Sequence, residues 1–236
     1  MVYDISLYGH LTIDTVFDDS KDYSFGGIAN VWRTLKKIDS DLLINLEPTH
    51  YGEAIIYVDK STSKRYSDAL LNLKNFTPNK QPSRINLVAY INELDDKSFI
   101  DELTGFNIAD VCKGKEVAKE SLKNIDLLLI ADEDLKNLED LRKNFSGILL
   151  THSASGSTIY YEENEFETIV NNKYFIENLN VLGAGDMFAA VLIYYLFNNM
   201  KKDLSNKNNL FEKIKNFIEK IHIETTQILI DYNKLL

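Results

Sequence analysis

Asn180-Val181-Leu182-Gly183-Ala184-Gly185-Asp186-Met187-Phe188-Ala189-Ala190 is a glycine turn running into an apolar helix. Two glycines around an alanine let the backbone curl tightly and leave its amide N–H groups unshielded by side chains. With the positive end of a helix dipole behind them, such groups form a site for an anion such as phosphate. Asp186 falls on the first helical turn, where the dipole favours a carboxylate and where it can accept a proton from an incoming hydroxyl. An anion hole beside a carboxylate base is what transfer of a phosphoryl group to an alcohol needs. Two other readings compete. A glycine turn before a helix is often only a cap. The run also fits G-x-G-x-x-x-A, a relative of the dinucleotide fingerprint, but that fingerprint needs a following strand with an acidic residue about 20 positions on. Here the polar segment Lys201–Asn209 and a second helical pattern follow instead, so the dinucleotide reading fails on context.

Working outward, the chain has 236 residues, 44% hydrophobic and 11% aromatic, the composition of a packed globular protein. That length suits one large α/β domain. A net charge of −10 argues against nucleic acid or an anionic membrane surface as partner. The lone Cys112 has no partner for an internal disulfide, as in a reducing compartment. Met1–Tyr8 lacks a basic leader pattern, and the apolar run Met187–Phe197 is too short to span a bilayer. A cytoplasmic location is the expectation.

Upstream, Val2–Tyr8 reads as a buried first strand ending at Gly9. Asp14 lies just past its C-terminal end, where ligands of α/β sheets bind; a solvated turn carboxylate is the competing reading. Phe25-Gly26-Gly27-Ile28-Ala29-Asn30-Val31-Trp32 opens a helix to about Ile38, with a glycine pair that allows close backbone approach and Asn30 placed to bond a polyol. Trp32 reads as core. Asp41–Leu46 is a strand, and the alternating segments Glu53–Asp59 and Lys64–Leu71 read as a β-hairpin. In that hairpin Ile55, Tyr57 and Asp59 point one way and Ala54, Ile56 and Val58 the other. A hairpin embedded in an α/β pattern is a candidate flap.

The order then becomes regular. Strand Ile85–Ile91 leads to helix Asp96–Leu103, strand Phe106–Cys112 to helix Lys115–Lys123, and strand Ile125–Ile130 to helix Asp132–Asn144. Strand Ser146–Thr151 follows, then two short antiparallel strands, Thr158–Tyr161 and Phe166–Val170. Leu210, Ile214, Phe217, Ile218 and Ile221 give the last stretch a helical period. Repeated βα units with short connections predict an α/β fold with a doubly wound, mainly parallel sheet flanked by helices. There is no Walker-type G-x-x-x-x-G-K-[ST], no G-x-S-x-G and no H-E-x-x-H or cysteine cluster, so P-loop, common α/β-hydrolase and zinc chemistries are unsupported.

With these pieces placed, the chain resembles the ribokinase-like (PfkB) family of sugar and nucleoside kinases along most of its length. Gly183-Ala184-Gly185-Asp186 is similar to its phosphate-binding signature, Gly26-Gly27-Ile28-Ala29-Asn30 to its glycine-pair motif, and Gly9 through Asp14 to its opening strand and substrate-binding Asp. The hairpin stands where the family has its lid, and Tyr90-Ile91-Asn92-Glu93-Leu94 falls in a family-like place. The resemblance implies one kinase domain over 1–236, with 53–71 as a β lid. It implies ATP and Mg²⁺ as cofactors and a small sugar, polyol or nucleoside as acceptor, and it allows the hairpin to serve as a flap over the protein's own cleft, as the contact of a homodimer, or as both. It makes Asp186 the base and gives the Gly183, Ala184 and Gly185 amides the developing phosphoryl charge. Asp14, Gly26, Gly27 and Asn30 would hold the acceptor, with the Gly27 backbone meeting it. Thr151, Ser153 and Gly156 match the nucleotide-binding T-x-G-x-x-G, with Ser153 in place of the first glycine. Asn180-Val181-Leu182 departs from the family's usual Asp-Thr-Thr, which removes a carboxylate from the monovalent-cation site. No N-x-x-E magnesium element stands near Ile130–Asp134, where Asp134 or Glu133 would substitute. The alternative to a kinase is a catalytically silent relative that binds a sugar or nucleotide as a sensor or partner subunit.

Overall fold

Apolar runs buried on both faces make central parallel strands, and runs with alternating burial make strands with one face uncovered. One strand of this protein is both in turn. In the computed structural model, which describes residues 2–17, 21–59, 64–112, 118–132, 138–169, 182–199 and 206–233, the first strand β1 (Tyr3–Phe17) is buried throughout Ile5–His10. It then alternates, with Thr12, Asp14 and Val16 buried and Leu11, Ile13, Thr15 and Phe17 half-buried. Asp14, expected beyond the strand, therefore lies inside it.

The remaining elements are β2 (Lys21–Gly27), α1 (Ile28–Ile38), β3 (Ile44–Asp59), β4 (Lys64–Asn75), β5 (Ser83–Val88), β6 (Phe106–Val111) and β7 (Leu127–Ala131). After them come α2 (Leu138–Asn144), β8 (Ile148–Ser153), β9 (Gly156–Tyr161), β10 (Asn164–Ile169), α3 (Ala184–Asn199) and α4 (Lys207–Asn233). All described strands join one ten-stranded sheet, ordered β10-β9-β8-β7-β6-β5-β1-β3-β4, with β2 paired to β1. The pairings from β8 through β3 are parallel; β9, β10, β4 and β2 run antiparallel to their neighbours. This is the mainly parallel, helix-flanked sheet that the βα pattern predicts.

Three details differ from the pattern. Asp41–Leu46 and Glu53–Asp59 belong to one strand, β3, because its pairing with β1 continues from Ile5↔Ile44 to Phe17↔Tyr57 with only a shift at Gly9/His10. The predicted hairpin is accordingly part of a four-stranded extension, β2-β1-β3-β4, that grows out of the central sheet. That explains how the hairpin is held, since two strands alone are marginal in water. Next, 3₁₀ turns at Ser98–Glu102 and Lys119–Leu122 stand within the segments where helices Asp96–Leu103 and Lys115–Lys123 were expected, residues 113–117 lying outside the described ones, and a further 3₁₀ turn at Ile91–Glu93 replaces the end of the expected strand Ile85–Ile91. The apolar residues Ile91, Leu94, Phe99 and Ile100 are buried but lack a 3.6-residue period, so short turns bury them as well as a helix would. Finally, Trp32, expected in the core, is 38% exposed.

The two sheet faces are covered unequally. Against one lie α1, α3 and α4, whose Ile28, Val31, Leu35, Phe188–Ile193, Leu210, Ile214 and Ile218 pack on Ile5, Leu7, Leu87 and Ile108. Among the described residues, the other carries the 3₁₀ turns and the residues around α2, through Leu94, Phe99, Leu122 and Phe145. Helix α3 is apolar on all sides and buried from Asp186 to Ile193, as a helix sandwiched between sheet and α4 must be. Its N-terminus is thereby fixed at the C-terminal edge of the parallel strands, where ligands of open α/β sheets bind. Among the described residues no helix is long and apolar enough to cross a membrane.

Candidate active site

The glycine turn enters α3 as the sequence predicts. Gly183 takes φ 77°, a region open to glycine, and its carbonyl accepts the Met187 N–H at 2.9 Å. Helix geometry leaves first-turn amides, here Ala184 and Gly185, without a carbonyl one turn back. A Cβ added to Gly185 would meet only His152 Cε1, at 3.8 Å, so the turn presents bare backbone with room before it. That cradle fits a phosphate.

Asp186 is 6% exposed, and both its carboxylate oxygens are held. Asn30 Nδ2 on α1 donates to Oδ2 at 2.8 Å, and the Tyr90 hydroxyl lies 2.7 Å from Oδ1. Arg33 donates to Asn30 Oδ1 and, at 2.8 Å, to the Phe25 carbonyl, which fixes the Asn30 amide with its NH₂ toward Asp186. Burial first, and the Asp186 and Asp110 charges next, push the Tyr90 phenol well above its usual range, so it remains protonated and donates.

Around the glycine pair, packing dictates the residues. Asp14, 4% exposed, accepts from Thr12 Oγ1 at 2.6 Å, and its carboxylate fills the space over Gly26 where a Cβ would overlap Asp14 Oδ2. Gly27 has φ 60°, and a Cβ there would overlap the His10 carbonyl. Both glycines are thus demanded by contact with β1. The segment Gly26–Asn30 touches Asp14 at one end and Asp186 at the other, so it brings the two carboxylates to one cleft.

The outer parts of β1 and β3 pack onto the start of the glycine turn. Val16, Ala54 and Ile56 are buried together and pack with Leu182, the residue before Gly183. Tyr57, one position on, is 46% exposed and stacks on Phe17, ring centroids 5.3 Å apart. Where the central sheet becomes lid, His10 and His50 are register partners with rings 4.6 Å apart, Glu93 lying 3.7 Å from His10 and Asp95 3.5 Å from His50.

On the opposite side, Thr151, Ser153 and Gly156 form the tight β8–β9 hairpin, in which Ser153↔Gly156 close the turn and Ser153 Oγ accepts from the Ser155 N–H at 3.2 Å. His152 ties this hairpin to α3: its ring stacks on Phe188 at 4.5 Å beside Gly185. His222 on α4 reaches the other side of Phe188, 5.1 Å between rings, and shares a 2.7 Å hydrogen bond with Ser157. Burial pushes both imidazoles down to about 4, the His222 charge adding to the effect at His152.

Glu133 and Asp134, the expected magnesium ligands, lie outside the described residues. Among the described residues no group of three or more His, Cys, Asp or Glu is arranged to hold a metal. The structure thus joins Asp186, Gly183, Ala184, Gly185 and Asn30 directly and Asp14 and Gly26 by one step, while Thr151, Ser153 and Gly156 approach from the other strand edge. Sequence reasoning missed Arg33, the His10–His50 pair and the bond from Tyr90. The signal for Tyr90 was its place at the C-terminal end of a parallel strand; Thr12, also not singled out, stands two positions before the expected Asp14 on the same side of the strand.

No protein-family model matches the chain, and no curated protein matches its sequence. Its structure is similar to that of ribokinase from Giardia lamblia, with a TM-score of 0.69 over 95% of this chain and 92% of that one at 12% identity. It is also similar to a Burkholderia thailandensis nucleoside kinase solved with inosine, TM-score 0.61, 13% identity and 88% of each chain. A pyrophosphate-dependent kinase of the ribokinase family, solved with a pyrophosphate analog and myo-inositol, matches with TM-score 0.56 and 15% identity over 94% of this chain and 93% of that one. Across about nine-tenths of its length, the chain has the ribokinase-like fold of sugar and nucleoside kinases.

Proposed function

We propose that this protein is an ATP-dependent kinase that transfers the γ-phosphoryl group to a hydroxyl of a small sugar, polyol or nucleoside. The observation that carries the reading is Asp186 on the first turn of α3, buried beside an open glycine cradle and beneath a lid whose inner face holds Asp14 and Thr12. Ribokinase-like neighbours solved with inosine and with myo-inositol support the acceptor class. Asp186 accepts the acceptor's hydroxyl proton as that oxygen bonds to the γ-phosphorus; the bond to the β-γ bridging oxygen breaks, and ADP leaves with the electron pair. The Ala184 and Gly185 amides stabilise the charge on the transferred group. Asp14 binds an acceptor hydroxyl, and Thr12 orients Asp14. Thr151, Ser153 and Gly156 form the donor side. Glu133 or Asp134 would be the carboxylates that hold Mg²⁺, which when bound would supply positive charge against the donor phosphates. The closed lid excludes water that would otherwise consume ATP.

The test is a panel of sugars, inositols and nucleosides, each assayed for acceptor-dependent ADP release with Mg²⁺-ATP, with pyrophosphate as a second donor. Phosphorylated product from at least one acceptor is the expected result. No acceptor-dependent transfer from either donor would refute the reading.

A further inference from the structure

Two residues other than glycine have positive φ among those described, Tyr90 at 57° and Glu162 at 52°. Glu162 sits in the two-residue turn between β9 and β10, which asks for that conformation. No hairpin asks it of Tyr90. A bulky aromatic residue in the left-handed region is costly, and such outliers persist where surrounding structure enforces them, often at functional sites. Here β5 ends at Val88, the Ala89 N–H still bonds the Tyr8 carbonyl at 2.8 Å, and the Tyr90 carbonyl already accepts the Glu93 N–H of the following 3₁₀ turn at 2.8 Å. Between those constraints the backbone reverses, and the Tyr90 hydroxyl lands 2.7 Å from Asp186 Oδ1, across 96 positions of sequence. The phenol is buried and protonated, so it is the donor and the carboxylate the acceptor.

We propose that Tyr90 is a positioning residue for the base, its hydroxyl holding the Asp186 carboxylate in one orientation toward the acceptor. The proposal rests on the assignment of Asp186 as base. Asn30 holds Oδ2 from one side and Tyr90 holds Oδ1 from the other, which stops rotation of the carboxylate about its Cβ–Cγ bond. Two donors also favour the ionised form, the form a base needs. Other ionisable groups near this pair are Asp110 and Cys112 from β6, whose charges bear on Tyr90, and His10 on β1, whose ring is 5.9 Å from the Tyr90 ring with Glu93 behind it. Arg33 stands behind Asn30, and His152 lies beside Gly185.

Tyr90→Phe keeps the ring and removes the donor. Two measurements on the full chain decide the matter. First, ¹³C NMR titration of the Asp186 carboxyl, assigned by its loss in Asp186→Asn, should show its pKa higher in Tyr90→Phe by about one pH unit, the worth of one charge-assisted hydrogen bond. An unmoved Asp186 titration overturns the proposal, whatever reaction the protein performs. Second, kcat for the best acceptor should fall on the order of 10-fold with KM nearly constant, and the acidic limb of the kcat profile should shift to higher pH. A raised KM with kcat and the pH profile intact overturns the proposal and makes Tyr90 a wall of the acceptor pocket. A wild-type protein that transfers no phosphoryl group while its Asp186 titration does respond to Tyr90→Phe refutes the kinase reading and leaves the contact standing. If Tyr90→Phe does not fold, Tyr90→His, which retains a ring donor, replaces it: a kcat equal to wild type with an unshifted acidic limb supports the proposal only if Asn30→Ala shifts that limb, and a shift from neither overturns it.

Discussion

Asp186 combines two requirements that are hard to meet together: burial, which costs a carboxylate its hydration, and ionisation, which a base needs. The helix dipole, the Asn30 amide and the Tyr90 hydroxyl together offset that cost. Asp186→Asn preserves the shape and removes the basic oxygen, so kcat should drop by about 10²–10⁴ while nucleotide affinity by calorimetry stays within a few-fold. The glycine pair yields two distinguishable outcomes. Gly26→Ala would push a methyl into the Asp14 carboxylate, so acceptor KM should rise with donor KM unchanged. Gly27→Ala would combine a positive φ with overlap on the His10 carbonyl, so it should lower the melting temperature through a loss of at least ~1 kcal/mol. The same melt at Gly26→Ala should move less. Asp186, the glycine turn and Asn30 were legible in sequence because helix starts have local signatures. Their mutual contact was not, since Asn30 and Asp186 are 156 positions apart and a spacing rule does not reach that far. Tyr90 was legible only as a strand end, because nothing in Ala89-Tyr90-Ile91 announces a left-handed turn.

At the scale of elements, the lid is the informative case. Its strands alternate, but the polar positions of β1, Thr12 and Asp14, are the buried ones, and the apolar Leu11 and Ile13 are only half-buried. That inversion is the mark of a strand lining a polar cleft, and it was present in the sequence all along. The continuity of β3 was hidden by Pro48 and Gly52, residues that usually punctuate strands; the pairing with β1 shifts register beside Pro48 and the pairing with β4 shifts between Tyr51 and Glu53. The contact of Val16, Ala54 and Ile56 with Leu182 couples the lid to the start of the anion turn. Ile56→Lys would set an unpaired charge into that small cluster, so the lid should favour an open state. Acceptor KM should then rise and ATP hydrolysis without acceptor should increase, both measured by phosphate release; unchanged coupling would show that the Leu182 contact does not govern closure.

For the molecule as a whole, the described residues cover the two sheet faces differently: α1, α3 and α4 lie on one, and the 3₁₀ turns with α2 on the other, where Leu94, Phe99, Ile100 and Leu122 are buried. Composition and βα order revealed the sheet, but the 3₁₀ turn at Ser98–Glu102 was not readable, since any apolar segment between strands looks helical until packing decides. The His152–Phe188–His222 stack ties β8, α3 and α4 together and sets an acid limit on stability. Both imidazoles have folded pKa values of about 4, below the usual 6.5, so between those values the unfolded chain binds more protons. Stability is therefore full above about pH 6.5 and falls as pH drops toward 4, with His222 contributing on the order of 2–3 kcal/mol. His222→Gln should flatten this part of the curve of urea midpoint against pH; a curve as steep as wild type would assign the loss to other groups. The account as a whole turns on transfer to a hydroxyl with Asp186 as the base. The most direct measurement is ³¹P NMR of the reaction with the best acceptor from the panel, run side by side for wild type and Asp186→Asn. The account predicts a phosphate-monoester signal that grows with ADP in wild type and is nearly abolished in the variant; equal product from both proteins would contradict it.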